Sequence, residues 1–433
     1  MLKLSLEHSG VDTGSTLKSL SDYTTHLQQV RAAGGYSELE ASLNLPFDNE
    51  LLERVQALVA KKVTPQLKYT VVIGIGGSNL GTKAVYDALL GYRDLLEPNR
   101  FPKMLFAETT DPEVLTSLNS LLATLEQPEE LLLVVISKSG GTTETLANFE
   151  ILANPLRTKF GADMLGRVVV ITDDGSKFMQ AAESAGFSHL GMPLQVGGRY
   201  SVLSAVGLFP LLCVGLNIEA LRQGARDLAE LCLAGDSADN LAAQSAAALA
   251  LNLKSGHPIN DNFFFHPELE SLGKWYRQLM GESVGKQRDL DDHTVYAGIT
   301  PTVSLGSTDL HSVGQLYLGG PKDKFSTFVA SSHSAQISVP ADRTLPDLVS
   351  MVAGKSAAGI MAAILEGTKI AYHKAGRPFM EITLDALDEP SIGAFLQFKM
   401  LEMMYLGRLL HVNSFDQPSV ESYKIETKRL LQA

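Results

Sequence analysis

The sequence predicts an α/β protein with two doubly wound parallel sheets, flanked by N- and C-terminal helices. Three observations lead to this fold class. Short apolar segments alternate with helical ones, and these apolar segments are hydrophobic at nearly every position, as in strands buried on both faces of a sheet. The same order occurs twice along 433 residues, a length that suggests two to three domains.

The first series of strands follows a polar N-terminal region with a helical pattern up to about residue 45. Tyr69–Ile75 is short, apolar and β-branched, and it leads through a glycine cluster into helical residues 82–90. Further strands are predicted at Lys103–Ala107, Leu131–Ile136 and Val168–Thr172. The first sheet therefore begins near residue 69.

The second series begins after an apolar helix at Val202–Leu216. It contains predicted helices at 237–253, 272–280 and 356–375, and predicted strands at 259–265, 325–329 and 378–384. Residues 392–410 and 418–431 are predominantly helical and are expected to pack across the domains. No residue-level repeat is present, so the duplication is one of architecture only.

These patterns divide the chain into four segments. The expected segments are an N-terminal helical segment (1–45), a first α/β domain (46–215), a second α/β domain (216–400) and a C-terminal helical arm (401–433).

Charge and composition exclude several classes of partner. Acidic residues outnumber basic ones by 48 to 36, and the resulting net charge of −12 repels nucleic acid and anionic membranes. The apolar run Val202–Leu216 contains a proline and two glycines and is shorter than the roughly 20 residues that cross a bilayer. Cys213 and Cys232 lack metal or redox spacing, and the N-terminus lacks a signal-peptide core, so a cytoplasmic protein is expected.

A glycine-rich loop, Gly74–Gly81, joins the first strand to a helix. Asn79 stands where the G-x-G-x-x-G pattern requires glycine, and no acid follows a second strand at the expected distance, which argues against NAD binding. The Gly-Lys-Ser/Thr of a P-loop is also absent. The loop can instead bring the backbone at Gly77 and the Ser78 hydroxyl close to a ligand, or it can be a tight turn with an N-cap serine.

A second loop, Ser137–Thr145, carries five hydroxyls, two glycines and a lysine between a buried strand and a helix N-terminus. Free backbone N–H groups, hydroxyl donors and the positive end of the helix suit a phosphate monoester. Ser137, Lys138, Ser139 and Thr142 are the candidate phosphate-binding residues. The alternative is an ordinary serine- and threonine-rich helix cap.

Three more segments narrow the function, namely VGGRYSVLSAVG at 196–207, MGESVGK at 280–286 and FDQPSVESYK at 415–424. Together with the two loops they resemble the shorter, bacterial-type members of the phosphoglucose isomerase family, from about residue 70 to the C-terminus. The resemblance implies two domains of the sugar-isomerase (SIS) type and reversible conversion of D-glucose 6-phosphate to D-fructose 6-phosphate. Neither cofactor nor metal is implied.

Aldose–ketose isomerisation through a cis-enediolate needs a base, a cation and a proton donor at the ring oxygen. Glu282 is the candidate base, because a carboxylate in a closing, partly dry site has its pKa raised towards neutrality. Its alternative role is a helix-end ion pair with Lys286 at i+4. By resemblance, Arg199 stabilises the developing enediolate, and the alternative for it is an interdomain salt bridge.

The resemblance also implies roles for residues that composition cannot single out. His311 aligns with the histidine that opens the ring, Lys424 with a lysine that assists at the ring oxygen, and Gln417 with a substrate-contacting glutamine. Gln278, one helical turn before Glu282, is a further candidate substrate contact. Without the resemblance, these four residues would be assigned to structural or exposed positions.

Two positions depart from the family pattern, since Ser419 replaces a usual glycine and Val284 a usual asparagine or similar small residue. In the family the histidine reaches the site from a neighbouring subunit, which implies a homodimer with a shared site. Rival functions are an isomerase that also accepts mannose 6-phosphate and a sugar-phosphate sensor without turnover. An amidotransferase is disfavoured because Leu2, not cysteine, follows the initiator.

Overall fold

The computed structural model describes residues 2–432 of the chain. The β-strands within this range are β1 (Lys3–Ser5), β2 (Tyr69–Ile73), β3 (Lys103–Ala107), β4 (Leu131–Ile136), β5 (Val168–Asp173), β6 (Ser188–Met192), β7 (Ile259–Phe264), β8 (Lys286–Arg288), β9 (Thr294–Ala297), β10 (Thr300–Leu305), β11 (Lys324–Ser331) and β12 (Phe379–Leu384).

The α-helices of residues 2–432 are α1 (Gly14–Lys18), α2 (Ser21–Ala33), α3 (Asn49–Lys62), α4 (Leu80–Tyr86), α5 (Tyr92–Leu96), α6 (Pro112–Ala123), α7 (Thr143–Phe160), α8 (Lys177–Ser184), α9 (Ala205–Cys213), α10 (Ile218–Leu233), α11 (Leu241–Lys254), α12 (Glu270–Val284), α13 (Gly314–Gly319), α14 (Ala357–Lys374), α15 (Glu389–Leu409) and α16 (Glu421–Leu431). Short 3₁₀ helices occur at Ala41–Phe47, Gly76–Ser78, Pro128–Glu130, Gly161–Arg167, Gly198–Tyr200, Pro267–Leu269, Thr308–His311, Ser350–Val352 and Pro418–Val420, and a π-helical turn, Asp87–Gly91, joins α4 to α5.

The first sheet is parallel throughout and has the order β3-β2-β4-β5-β6. All residues of β4 are buried, and its alternate side chains enter two different hydrophobic clusters, with Leu132 and Val134 in one and Leu133 and Val135 in the other. Apolar side chains thus cover both faces of the sheet, as the uninterrupted hydrophobic strands predicted.

The second sheet has the order β1-β12-β11-β7-β10 and is parallel except for the antiparallel edge strand β1. Neighbouring residues of β7 again point to opposite sides, because Phe263 and Phe264 belong to different hydrophobic clusters. The predicted fold class of two doubly wound parallel sheets is therefore confirmed. A separate antiparallel hairpin is formed by β8 and β9.

A buried ion pair lies where α11, α12 and α15 meet. Lys399 and Glu402 have fully buried side chains, and Lys399 Nζ lies 2.9 Å from Glu402 Oε1. Tyr276 of α12 donates its hydroxyl to Glu402 Oε2 at 2.5 Å, and Ser245 of α11 donates to Glu402 Oε1. We call these four residues the core ion-pair cluster; it fixes α12 against the centre of the protein.

Several elements differ from the sequence prediction. The N-terminal region contains the strand β1 as well as helices, and β6, β10 and the β8–β9 hairpin were not predicted. The apolar segment 202–216 is a shorter buried helix, α9. In the C-terminal part, α15 packs against α10, α11 and α12, which all lie in the predicted second domain, whereas no residue of α16 is buried.

Between residues 2 and 432, no helix is both long enough and apolar enough to span a membrane.

Candidate active site

The two loops singled out from the sequence lie side by side in the structure. The glycine loop follows β2 and the hydroxyl loop follows β4, and these strands are paired neighbours in a parallel sheet. The strand order reverses between them, because β3 is added on one side of β2 and β4 on the other. Open α/β sheets bind ligands at such a switch point, beyond the carboxyl ends of the strands.

The glycine loop is packed directly against the turn that carries Arg199. A β-carbon added to Gly77 would lie 2.2 Å from the carbonyl carbon of Gly198, so only glycine fits there. The Ser201 hydroxyl donates to the Gly77 carbonyl at 3.3 Å. Ser78 lies in the 3₁₀ turn and Asn79, not Ser78, precedes α4, so the serine-cap alternative is wrong.

The hydroxyl loop is ordered by its own hydrogen bonds. The buried Ser137 Oγ accepts from the Gly140 N–H at 3.1 Å and lies 3.2 Å from Thr142 Oγ1. Ser139 is exposed, and its Oγ accepts from the Gly141 N–H at 3.3 Å. Thr142 precedes α7 without a side-chain cap bond. The simple helix-cap alternative is therefore wrong for Thr142, whose hydroxyl contacts Ser137 instead.

Lys138 is directed away from its own loop. Its Nζ donates to the carbonyls of Leu194 at 2.8 Å and Val196 at 3.3 Å, just before the Arg199 turn. Its carbonyl accepts from the Asp173 N–H at 3.0 Å. Burial raises the pKa of Asp173 to about 6, and the nearby ammonium of Lys138 opposes this rise.

Arg199 is almost completely buried and uses all five of its N–H donors. Its Nε donates to Ser283 Oγ at 2.9 Å, while Nη1 donates to Glu282 Oε2 at 3.3 Å and to Gln417 Oε1 at 2.9 Å. Its Nη2 donates to two backbone carbonyls, those of Ser414 and Asp416. One guanidinium thus joins α12 to the C-terminal segment.

Glu282 lies in the last turn of α12, and its side chain is 26% exposed. Its Oε1 accepts from Gln278 Nε2 at 3.0 Å, while Oε2 accepts from Arg199. The alternative partner Lys286 is not used, because its ammonium contacts Asp416 at 2.8 Å. The helix-end i+4 pair is therefore wrong, and the carboxylate keeps acceptor capacity for a ligand.

Gln278 links the carboxylate to the glycine loop. Its Nε2 would lie 3.1 Å from a β-carbon on Gly76, and its Oε1 is buried without a hydrogen-bond partner in residues 2–432. The alternative of an exposed polar residue is wrong, since this amide faces the loop. Gln278 is thus placed between Glu282 and the loop that ends β2.

Two predicted site residues lie outside this cluster. His311 is exposed in the turn after β10, and Lys424, on α16, has its ammonium 2.7 Å from Glu421. Within the described part of the chain, neither side chain contacts Arg199 or Glu282. A single chain therefore brings together Arg199, Glu282, Gln278 and Gln417 beside the two loops, without His311 or Lys424.

Sequence reasoning missed three partners of the central cations. Ser283 and Ser414 accept hydrogen bonds from Arg199, and Asp416 accepts from both Arg199 and Lys286. All lie inside or next to the segments that carry the family resemblance. Their roles were hidden because two of the acceptors are backbone carbonyls, which no side-chain pattern reveals.

One group in residues 2–432 has the composition of a metal site, Asp289, Asp291 and His293, with potential ligand atoms within 4.8 Å of one another. It lies in the loop between β8 and β9. Asp289 already accepts from the backbone N–H groups of Asp291 and His293, and Asp291 contacts His411 at 2.8 Å. The loop thus satisfies these carboxylates itself.

Comparisons with known proteins agree on one family. The family model described as phosphoglucose isomerase matches residues 49–433. A glucose-6-phosphate isomerase from Carboxydothermus hydrogenoformans is 35% identical over 416 residues, which cover 94% of this chain and 88% of the relative.

Two solved structures have the same fold. A hypothetical protein from Thermus thermophilus aligns over 100% of both chains with a TM-score of 0.88 and 30% identity. A glucose-6-phosphate isomerase from Chlamydia trachomatis aligns over 100% of this chain and 88% of its own, with a TM-score of 0.81 and 21% identity.

Proposed function

The chain belongs to the phosphoglucose isomerase family, and we propose that it interconverts D-glucose 6-phosphate and D-fructose 6-phosphate through a cis-enediolate. It is an aldose–ketose isomerase. One observation carries the mechanistic part of the proposal. The partly exposed carboxylate of Glu282 and the buried guanidinium of Arg199 are 3.3 Å apart, at the edge of a glycine loop and a hydroxyl loop.

In the proposed reaction Glu282 removes the proton from C2 of the open-chain aldose and returns it to C1, while the proton of the C2 hydroxyl passes to the C1 oxygen. A carboxylate can do this because it accepts and donates the same proton without leaving its place. Negative charge grows on the substrate oxygens as the enediolate forms. Arg199 supports this step, because a guanidinium that is already oriented by hydrogen bonds needs little reorganisation to stabilise that charge.

The phosphate group is proposed to bind at the hydroxyl loop. Ser137, Ser139 and Thr142 supply hydroxyl donors at the start of α7, where the helix dipole favours an anion. Lys138 contributes charge from the far side of the loop rather than a direct contact, since its ammonium already has two carbonyl partners. Gly77 and Ser78 line the sugar side, with Gln278 and Gln417 as hydroxyl contacts.

Ring opening is proposed to use His311 and Lys424, and it requires a second subunit. His311 is exposed in the single chain, and α16, which carries Lys424, buries no residue of its own. Both features fit elements that complete their packing in a homodimer. Mixing Glu282→Gln with His311→Ala subunits would then restore about a quarter of the activity, because hybrid dimers hold one intact site. Zero recovery in a proven hybrid would refute the shared site.

The decisive experiment follows exchange of solvent deuterium at C2 of the substrate. In Glu282→Gln this exchange should fall by about 10³-fold or more, because the amide cannot accept the proton. Binding of an inert hexitol 6-phosphate should change little. The matched control is Glu270→Gln, at the other end of α12, where the side chain is 47% exposed and pairs with Lys274.

The assay also tests the rival functions. Purified protein, free of nucleotide and added metal, is given glucose 6-phosphate and mannose 6-phosphate in parallel. Product from both substrates would extend the proposed specificity to the C2 epimer, and binding without product would indicate a sensor. We place the reaction in the cytoplasm, in keeping with Cys213 and Cys232, which are free and buried thiols.

A further inference from the structure

A single backbone carbonyl receives hydrogen bonds from two buried cations. The carbonyl oxygen of Asp416 accepts from Arg199 Nη2 at 3.1 Å and also from Lys286 Nζ. Lys286 donates in addition to Asp416 Oδ1 at 2.8 Å, and its side chain is only 5% exposed. We call Lys286 and Asp416, with the shared carbonyl, the C-terminal clamp.

Burial of the Lys286 ammonium is energetically unfavourable and therefore calls for a structural explanation. An ammonium removed from water is unfavourable unless its donors are satisfied, and burial lowers the pKa of Lys286 while Asp416 opposes this effect. Asp416 supplies all the acceptors that Lys286 has in residues 2–432. The Glu282 carboxylate adds a favourable charge interaction without a hydrogen bond, so the buried ammonium directs its donors to Asp416 alone within the described residues.

The clamp holds the point from which the C-terminal helix leaves the protein. Residues 413–417 have no regular secondary structure and lead into a 3₁₀ turn and then α16. Because α16 buries no residue, its direction depends on how this segment is attached. Besides the two cations, the Phe415 ring packs on Tyr200, with 5.5 Å between ring centroids.

The clamp is also close to the proposed base in sequence and structure. Lys286 begins β8, four residues after Glu282 and directly beyond the end of α12. Gln417, the residue after Asp416, accepts a hydrogen bond at Oε1 from Arg199 Nη1 at 2.9 Å. A shift of the Asp416 carbonyl would therefore move Gln417 relative to the carboxylate.

We propose that Lys286 is a positioning residue that, through Asp416, fixes Gln417 and the base of α16 relative to Glu282. The inference rests on the proposed function, since it concerns the same site. Lys286 does not touch the substrate. Its effect is on geometry, and misplacement of reacting groups by about 1 Å can reduce rates about 10²-fold.

The first test separates turnover from binding. In Lys286→Met we expect kcat to fall about 30- to 100-fold, while the dissociation constant of glucitol 6-phosphate, an inert open-chain ligand, changes less than about 3-fold. Lys286→Arg should recover kcat to within about 5-fold, because a guanidinium can reach both acceptors of Asp416. The matched control is Lys274→Met, which removes an exposed lysine of α12 and should leave both constants unchanged.

The second test does not depend on activity. In Lys286→Met, amide hydrogen exchange across residues 414–431 should be at least about 10-fold faster, while exchange in the first turns of α12 stays as in the wild type. If Lys286→Met fails to fold, Asp416→Asn keeps the backbone carbonyl and should show a smaller increase in the same segment.

Wild-type kcat and exchange in a folded Lys286→Met would overturn the proposal, and so would a failure of Lys286→Arg to recover kcat. A wild-type protein that does not convert glucose 6-phosphate would instead refute the proposed function. The exchange measurement would then still decide whether the clamp holds the segment.

Discussion

Two ion pairs attach α12 to its surroundings, and they differ in how much hydrogen-bonding capacity the protein itself uses. Glu402 of the core ion-pair cluster accepts from Ser245, from Tyr276 and twice from Lys399, and it is fully buried. Glu282 accepts only from Gln278 and Arg199 and is 26% exposed. A carboxylate can accept about four hydrogen bonds.

A glutamate paired with a cation thus serves two purposes, depending on how many of its acceptor sites the protein leaves free. Glu402 has every acceptor site occupied, so it can stabilise the packing of α12 but cannot take part in chemistry. Glu282 has about two sites free and faces solvent, while its cation is held rigidly.

The largest effect is expected from breaking the core ion-pair cluster. Lys399→Met leaves the Glu402 charge buried without its cation and should lower the free energy of unfolding by about 3–5 kcal/mol, as measured by urea denaturation. The turnover of the folded protein should stay within about 3-fold of the wild type. Lys399→Met with Glu402→Leu should recover most of the stability. A loss below about 1 kcal/mol in the single variant would contradict the structural role.

Next in size is Arg199→Lys, which keeps a charge but loses the planar donor geometry. Turnover should fall about 10²- to 10³-fold, or about 2.7–4 kcal/mol of transition-state stabilisation, with a smaller change in KM. Steady-state kinetics measure both constants. Arg288→Lys, at an arginine that is 53% exposed, is the matched control and should behave as the wild type. An unchanged kcat in Arg199→Lys would make the guanidinium purely structural.

Asp173 differs from both glutamates, because its Oδ1 is buried and has no hydrogen-bond partner among residues 2–432. Burial raises its pKa from 3.8 to about 6, so the ionised form is disfavoured in the folded state. The wild type therefore loses stability as the pH rises from below about 4 to above about 6.

Asp173→Asn removes this dependence. Its stability relative to the wild type should increase by roughly 2 kcal/mol between pH 4 and pH 8, measured by urea unfolding at each pH. Asp163→Asn, at an exposed carboxylate, is the matched control. A difference that does not vary with pH would argue against the raised pKa.

The smallest effect is expected at Ser139, an exposed residue of the hydroxyl loop, where we propose that the phosphate binds. Ser139→Ala should raise KM for the sugar phosphate about 5- to 10-fold, near 1 kcal/mol, with little change in kcat, because one donor to the anion is lost. Ser117→Ala, at an exposed hydroxyl on α6 that bonds to the Glu113 carbonyl, is the control. A fall in kcat with constant KM would place Ser139 at the reacting carbons instead.

The first sheet was predictable because its central strands are apolar and rich in β-branched residues, as in β4 and β5. The missed strands have weaker signals. β10 contains Pro301 and several hydroxyls, and its place at the edge of the sheet explains why proline is tolerated. β1 has three residues and pairs with β12, near the other end of the chain, so local sequence gives no indication of it.

The site was only partly predictable. Hydroxyls and glycines after apolar strands marked both loops, but the meeting of Arg199 with Glu282 and Gln417 came from the family resemblance, since 83 and 218 residues separate the partners. The roles of His311 and Lys424, the homodimer and the four-segment division of the chain stay predictions. They depend on contacts with a second subunit or on how the chain is partitioned, which local patterns do not encode.

The contact between Gly77 and Gly198 has a consequence for how this enzyme could be altered. A β-carbon at Gly77 would lie 2.2 Å from the carbonyl carbon of Gly198, whereas one at Gly198 would meet the Gly77 Cα at an ordinary contact distance of 3.4 Å, so the close approach excludes a side chain at Gly77 only. The two turns therefore pack directly against each other, although they come from distant stretches of the chain. A mutant library aimed at new sugars should therefore leave Gly77 unchanged, because randomising it would yield mainly misassembled enzymes, and should vary the positions that face the two turns.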